Sequence, residues 1–396
     1  MKKNKYVNGI IPMFLINFAI GSVYCWTLCK ESIIQYTGFS RWVVEWSFSL
    51  AIFFLGMSAA FGGPLVEKNV KRSSFITFVV FTAGMVITGI GIQFKNPIIT
   101  IIGYGGVQGI GLGLGYITPV KTLMLWMKNN KGFAAGLAIA GFAFAGVLGN
   151  PLIGLFIGKI PIYNVFYIIA VIYGISLFIA SLLIYRPEVV EEQEEFKNKK
   201  ESKIREIIFT RKFILLWLVF FLNITCGLAL ISQEKQIYLR IGVSQIILFC
   251  TMNATANMIG RLSMASLQDK LKSKHIPYYI MAASSLAVCL MAMARSSMHI
   301  ETIITIFVVQ FFFGCGFACI PNILHQNYGM KQLSTVHGLT LSAWAIAGLV
   351  GNQVSAWIMS NYALSTLYTV IGSLYLVELI ILLIWTKTAL SKKANA

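Results

Sequence analysis

Arg261 is the residue best suited to chemistry: it stands in an otherwise apolar, small-residue run, N-M-I-G-R-L-S-M-A-S-L-Q-D. A guanidinium in such surroundings is costly unless it faces polar space or a partner, which marks it as a functional candidate. Its planar fork of donors matches a carboxylate in two-pronged geometry. The competing reading is structural, with Arg261 reaching toward an interface or pairing with Asp269. Lys121 and Gln108 are the polar exceptions in a second apolar stretch, Gly103–Pro151. Lys121 either supplies charge to a cavity or runs out toward the surface near Lys128. Tyr24 and Tyr116 each combine a phenol donor with ring surface, suited to a carboxylate carrying an alkyl group. Trp344 either narrows such a site or sits in a groove facing lipid. Asn257 and Gln310 belong to a wider polar set that lines a pathway or bonds between helices. Glu378 is a further charge in an apolar run, able to load a proton if it faces inward and otherwise structural.

These residues must be positioned by membrane helices. The chain has 396 residues, 57% hydrophobic and 12% charged, where soluble proteins average about 25% charged. Its mean hydropathy is +0.76, and the pattern is that of a polytopic membrane protein. The net charge of +18 does not point to nucleic acid, because the basic residues lie between apolar spans. Lipid headgroups and the positive-inside bias account for them. The cysteines lie mostly in apolar runs without an accompanying His/Asp/Glu cluster, so they read as small buried side chains rather than a metal or redox site. The repeated G-x-G of Gly103–Gly115 follows no soluble strand and precedes no lysine–serine phosphate loop, so no nucleotide is expected. No nucleophile–base set recurs at one membrane level. The chain reads as a non-enzyme that needs no cofactor.

Twelve spans are expected, at roughly 9–29, 43–63, 75–94, 98–121, 133–156, 162–184, 213–232, 244–264, 277–294, 301–322, 336–357 and 364–386. Each is near the roughly 20 residues that cross the hydrocarbon at 1.5 Å per residue. The first follows Lys2, Lys3 and Lys5 but lacks an evident cleavage signature, so it reads as a retained helix. With the N-terminus inside, inner segments carry 23 of the 32 basic residues, which places both termini in the cytoplasm. The Glu- and Lys-rich run at 186–212 reads as a cytoplasmic linker between an N-terminal six-helix half, 1–185, and a C-terminal half with a short tail, 213–396.

The halves look duplicated. Gly63-x3-Glu67 recurs as Ala265-x3-Asp269, Pro119 as Pro321, and Gly149-Asn150 as Gly351-Asn352, each 202 positions later. Internal repeats of this kind recur in transporters, with the solute bound between the repeats. Gly109, Gly111, Gly113 and Gly115 read as a small helix face, continued by Gly132, Gly136, Gly141 and Gly146 in the next span, allowing close sliding of helices.

Three stretches carry a resemblance. They are G-S-V-Y-C-W-T-L at Gly21–Leu28, G-L-G-L-G-Y-I-T-P-V at Gly111–Val120 with the following span ending in Asn150-Pro151, and Asn327–Lys331 followed by His337-Gly338 and L-S-A-W-A-I-A-G at Leu341–Gly348. On these the chain resembles the major facilitator superfamily, in particular its oxalate/formate antiporter-like branch related to monocarboxylate transporters. The resemblance implies an all-α bundle of twelve transmembrane helices arranged 6+6. It also implies an acidic–basic gating loop after the second helix of each half, here Glu67 with Arg72, and Asp269, although Glu replaces Asp and a later glycine is missing. Arg261 falls where oxalate-transporting relatives bind a carboxylate. Trp344 falls where they place a second cation, a lysine. The substrate-binding set is therefore Arg261, Tyr24, Tyr116, Lys121, Trp344 and Gln108. The expected activity is secondary active transport of small organic anions, foremost monocarboxylates such as lactate, pyruvate or formate, with protons or a counter-transported anion as coupling partners. Oxalate/formate exchange, efflux of a larger amphipathic compound and a non-transporting nutrient sensor are the alternatives. The protein is expected as a monomer among the lipids of an inner or plasma membrane.

Overall fold

A computed structural model describes residues 4–187, 204–271, 276–294 and 299–394, with the side chains of 204, 205, Asp269 and 386–394 outside that description. Among the described residues every regular element is a helix. Eleven helices are long and apolar enough to cross a membrane. In chain order these are α1 (Tyr6–Thr37), α2 (Arg41–Lys68), α3 (Val70–Gln93), α4 (Pro97–Trp126), α5 (Lys131–Gly154) and α6 (Ile162–Leu183). After a short helix at Ile204–Ile208 come α7 (Arg211–Arg240), α8 (Ile246–Lys270), α9 (Ile276–Ala294), α10 (His299–Tyr328), α11 (Leu333–Asn361) and α12 (Leu364–Trp385, helical on to Ala394). The twelfth of these, α8, has 25 residues but falls outside the apolar set. Asn253, Asn257, Arg261 and Gln268, all buried, lower its hydropathy. Most of the expected linker at 186–212 lies outside the described residues.

Local chemistry sets the helix ends. The Asn69 side chain accepts the Arg72 N–H at the start of α3, and Asn96 accepts those of Ile98 and Ile99 ahead of Pro97 at the start of α4. These are donors the first helical turn would otherwise leave open. Gly38, at φ 73°, closes α1. Pro119 in α4 and Pro321 in α10 stand inside their helices, tolerated because neighbouring helices absorb the freed backbone groups. The glycines of α4 form two faces rather than one. A hypothetical Cβ on Gly113 would lie 2.0 Å from the Leu55 carbonyl oxygen of α2, whereas one on Gly111 would lie 2.6 Å from Phe81 N of α3. A two-residue step turns a helix by about 200°, so alternate glycines let α4 approach two different neighbours.

The end at which α1 begins and α6 finishes, where Tyr185 N donates to the Asn8 carbonyl, is termed the base. The first six and last six helices meet mainly through α2 against α11 and α5 against α8. Each repeated sequence pair falls on corresponding helices: Glu67 and Asp269 at the ends of α2 and α8, the prolines in α4 and α10, and buried Asn150 and Asn352 in α5 and α11.

Candidate functional site

Arg261 is fully buried at the crossing of α5 and α8. Its Nε donates to Asn257 Oδ1 at 2.7 Å, one turn earlier on α8, and its Nη1 donates to the Ile139 carbonyl of α5 at 2.8 Å. The guanidinium carbon lies 5.0 Å from the ring centre of Phe317 and 5.6 Å from that of Phe142, a favourable cation–π arrangement in a desolvated setting. Among the described residues no carboxylate pairs with it. The side chain runs toward Asn257 rather than toward the end of α8 where Asp269 stands.

Around this cation the aromatic residues form a cage. Tyr116 packs on Trp344 with ring centres 5.0 Å apart and on Phe142 at 5.4 Å. Phe317 meets Trp344 at 4.6 Å, and Tyr24 meets Phe142 at 5.3 Å. The phenols of Tyr116 and Tyr24 are the electrostatic neighbours of Arg261. Arg261 Nη2, Tyr24 Oη, Tyr116 Oη and Trp344 Nε1 are all buried and make no well-aligned hydrogen bond, although the phenols stand close enough to interact with Arg261 and, for Tyr24, with Trp344. A buried polar group left unsatisfied costs about 1–3 kcal/mol, so four potential donors grouped in one cage are set for an acceptor that arrives from elsewhere.

Toward the end opposite the base, the cage adjoins a small cavity, about 20 Å³ counted as room for the centre of a water molecule. That is space for about one water. Tyr24, Asn257 and Gln310 line it on the cage side, and Glu234 and Asn253 on the other. Asn253 donates to Glu234 Oε1 and also meets the Tyr238 hydroxyl.

Two polar clusters tie the first six helices to the last six on either side of the cage. At the base, Lys121 Nζ meets Glu67 Oε2 at 2.5 Å and donates to the Lys331 carbonyl at 3.2 Å. Glu67 Oε1 accepts the Ser334 N–H at 3.1 Å, and Arg186 Nη1 stands 3.5 Å from Glu67 Oε2. Burial lowers the pKa of Arg186, against the opposing pull of Glu67. At the opposite end, Lys30 Nζ meets Glu45 Oε2 at 2.6 Å and donates to the Ser232 carbonyl at 2.6 Å. Lys30 and Ser232 are themselves 202 positions apart, so equivalent points of the repeat touch. Asn352 Nδ2 donates to the Glu45 carbonyl and to Ser49 Oγ. Between the two clusters the cage residues are buried.

Of the residues singled out in the sequence, Arg261, Tyr24, Tyr116 and Trp344 come together in the cage. Lys121 does not join them; it belongs to the cluster at the base, beside Glu67. Gln108 is buried with its amide unpartnered, its backbone against Gly84 of α3, and shows no bond to the cage. Glu67 stands in a contact between the two sets of helices. Arg72 is exposed and bonds through its backbone to Asn69; Lys121 and Arg186 take the place beside Glu67. Asp269 lies near the end of α8, its side chain outside the description. Lys30, Glu45, Glu234 and Asn253 were missed. The signal for them was apolar sequence continuing on both sides of the charge, in W-T-L-C-K-E-S-I-I and A-L-I-S-Q-E-K-Q-I-Y-L. For Asn253 it was the four-residue step to Asn257 and Arg261.

A bundle of membrane helices closed around an internal polar cage is the build of a carrier protein. The profile of the Major Facilitator Superfamily matches residues 9–352, and the chain belongs to that superfamily. It is 22% identical over 355 residues to the "Uncharacterized MFS-type transporter YhjX" of Escherichia coli, covering 86% of this chain and 85% of that one. Over 208 residues it is 23% identical to "Apicoplast pyruvate carrier 1" of Toxoplasma gondii, covering 41% and 37% of the two chains. It is 22% identical over 340 residues to the "Aspyridones efflux protein apdF" of Emericella nidulans, covering 83% of this chain and 66% of that one. Its fold matches the superfamily transporter FucP in the outward conformation, with a TM-score of 0.68 at 13% identity over 95% and 97% of the chains. It also matches the proton:xylose symporter XylE, at 0.72 and 12% identity over 94% of each. The chain is a transporter rather than an enzyme.

Proposed function

We propose that this protein carries small organic monocarboxylates, such as lactate, pyruvate or formate, by alternating access between an α1–α6 half and an α7–α12 half. The observation that carries this reading is the convergence of Tyr24, Tyr116 and Trp344 on the buried Arg261 guanidinium. A carboxylate would take two of its bonds from that set while its short tail packs on Phe142 and Phe317. Trp344, in the place of a second cation, favours one anionic charge over two, because a second carboxylate would go uncompensated in a low-dielectric cage. Similarity to a protein named as a pyruvate carrier points the same way. In this reading the base, with both termini and the linker, faces the cytoplasm, and the monomer suffices.

The test is uptake of labelled lactate, pyruvate, formate and oxalate into proteoliposomes, with Arg261→Gln beside the unmodified protein. Saturable uptake of a monocarboxylate that exceeds oxalate and falls at least tenfold in R261Q is the expected result. Normal uptake by R261Q in matched vesicles, or no uptake of any monocarboxylate by the unmodified protein, would overturn the reading.

A further inference from the structure

Two carboxyls are buried toward the end opposite the base, and they are compensated differently. Glu45 meets the Lys30 ammonium. Glu234 is as deeply buried but has no ion pair among the described residues. Asn253 of α8 donates to it, and Cys250 of α8 stands beside it. Both are uncharged. Lys30 is taken by Glu45, and Lys235, next to Glu234 in the chain, donates to the Leu28 carbonyl at 2.9 Å. In place of an ammonium, Glu234 adjoins the small cavity, with its room for about one water. A carboxylate taken out of water without a compensating charge is costly, and the space beside it is where that charge would sit.

The rest of the cavity wall supplies neutral oxygens. Asn150 of α5 is buried, lines the cavity and makes no side-chain hydrogen bond. Its repeat counterpart Asn352 is fully engaged: it donates to the Glu45 carbonyl and to Ser49, and accepts from Gln233. Asn253 spends its amide nitrogen on Glu234 and the Tyr238 hydroxyl, which leaves its carbonyl oxygen uncommitted. Gln310 Oε1 accepts only a long bond from Asn257, at 3.4 Å, and the Tyr24 hydroxyl makes no well-aligned bond. A carboxylate and several neutral oxygens around a space of this size are ligands for a small, hard cation. Charge sets its valence. One carboxylate balances one positive charge, and a divalent ion would leave an excess in a low dielectric. We propose that this cavity binds a sodium ion, with Glu234 as its counter-charge and Asn150, Asn253 and Gln310 as its neutral ligands. These residues come from both sets of helices, Asn150 from α5 and the others from α7, α8 and α10. The ion therefore ties the two sets together, as the Lys30 ammonium does beside Glu45. The ion site stands whether or not a monocarboxylate is the solute.

The test titrates the purified full chain in detergent with sodium chloride, replacing choline chloride at fixed ionic strength and pH, with potassium chloride as a parallel series. A thermal midpoint that rises and saturates with sodium, and moves much less with potassium, is the expected result. Because an ion bound only by the folded state stabilises it in step with its concentration over Kd, the curve also gives the affinity. Equilibrium binding of radioactive sodium should reach about one ion per chain. No sodium-dependent rise, or an equal rise with potassium, would overturn the proposal, the cavity then holding a water or Glu234 a proton. Asn150→Ala removes a ligand from the first six helices without stranding a charge, and should raise the half-saturating sodium concentration several-fold. Glu234→Gln removes the counter-charge and should abolish the sodium response. A response unchanged in either variant would also overturn the proposal. Should E234Q fail to fold, the ion series and N150A decide. Monocarboxylate uptake is not part of this readout, so failure of the substrate reading and failure of the ion site are told apart.

Discussion

The two clusters that close the cage differ in where water can reach. At the base, the Glu67 side chain keeps 23% of its surface exposed and draws on two cations and a backbone N–H. At the opposite end, Lys30 and Glu45 expose 2% and 3% of their side chains. An ion pair near water is screened and contributes little, about 0–1 kcal/mol. A buried pair is costly to break from one side, about 3–5 kcal/mol, because the remaining charge is stranded. Glu67 alone reaches water there, Lys121 and Arg186 exposing only 4% and 10% of their side chains, and we expect the base to open with less effort than the opposite end.

Four substitutions or conditions probe that asymmetry. The largest effect is expected from Lys30→Met, which strands Glu45: a loss of about 3–5 kcal/mol, read as a clear drop in thermal midpoint in detergent. The double variant K30M/E45L should recover most of it, since neither charge remains buried. No recovery would mean that Lys30 acts mainly through the Ser232 carbonyl. Next is Gly338→Ala. A Cβ there would lie 2.2 Å from the Ala59 carbonyl oxygen, an overpacking that costs about 1–3 kcal/mol and props the base open. A cysteine reporter, Ser334→Cys, should then react faster with a thiol reagent, the native cysteines being buried. Glu67→Gln should produce the same change more weakly, about 1–2 kcal/mol, without altering a Ser49→Cys reporter at the opposite end. Equal changes at both reporters would show that the clusters are not separate. The smallest effect is that of salt. Raising ionic strength from about 0.1 to 1 M shortens the screening length from about 10 to 3 Å; it should speed S334C labelling slightly and leave S49C unchanged.

Much of the architecture was legible because crossing a bilayer demands long apolar helices, and eleven of the expected spans appear as such. The ends were misjudged for a specific reason. The first span was read as stopping at residue 29 and the seventh at 232, each just short of a charge, whereas α1 continues to Thr37 and α7 to Arg240. A charge usually marks a helix boundary; inside a bundle it can instead be buried by its partners, as Lys30 and Glu234 are, which a linear pattern does not reveal. Arg261 was recognisable from its apolar flanks. Its cage was not, since Phe142 and Phe317 look like any packing aromatic until the helices cross. Lys121 stood between a cavity charge and a side chain running to the surface; its partner Glu67 lies 54 positions away, and only tertiary structure separates the base from the cage.

The polarity of α8 also bears on how the protein is made. An arginine at the centre of a membrane helix disfavours insertion by about 2.5–3.5 kcal/mol, and Asn253 and Asn257 add to that. The groups that satisfy them come from both directions in the chain: Ile139 lies in α5, already synthesised, while Gln310, whose amide oxygen accepts from Asn257 at 3.4 Å, lies two helices downstream. We expect α8 to enter the bilayer poorly when translation stops after it and well once α10 has followed, as glycosylation tags on truncated chains would record. Full insertion of a chain ending at α8 would contradict this. On this expectation, the residue proposed to hold an anion also makes the assembly of the carrier wait for a later part of the message.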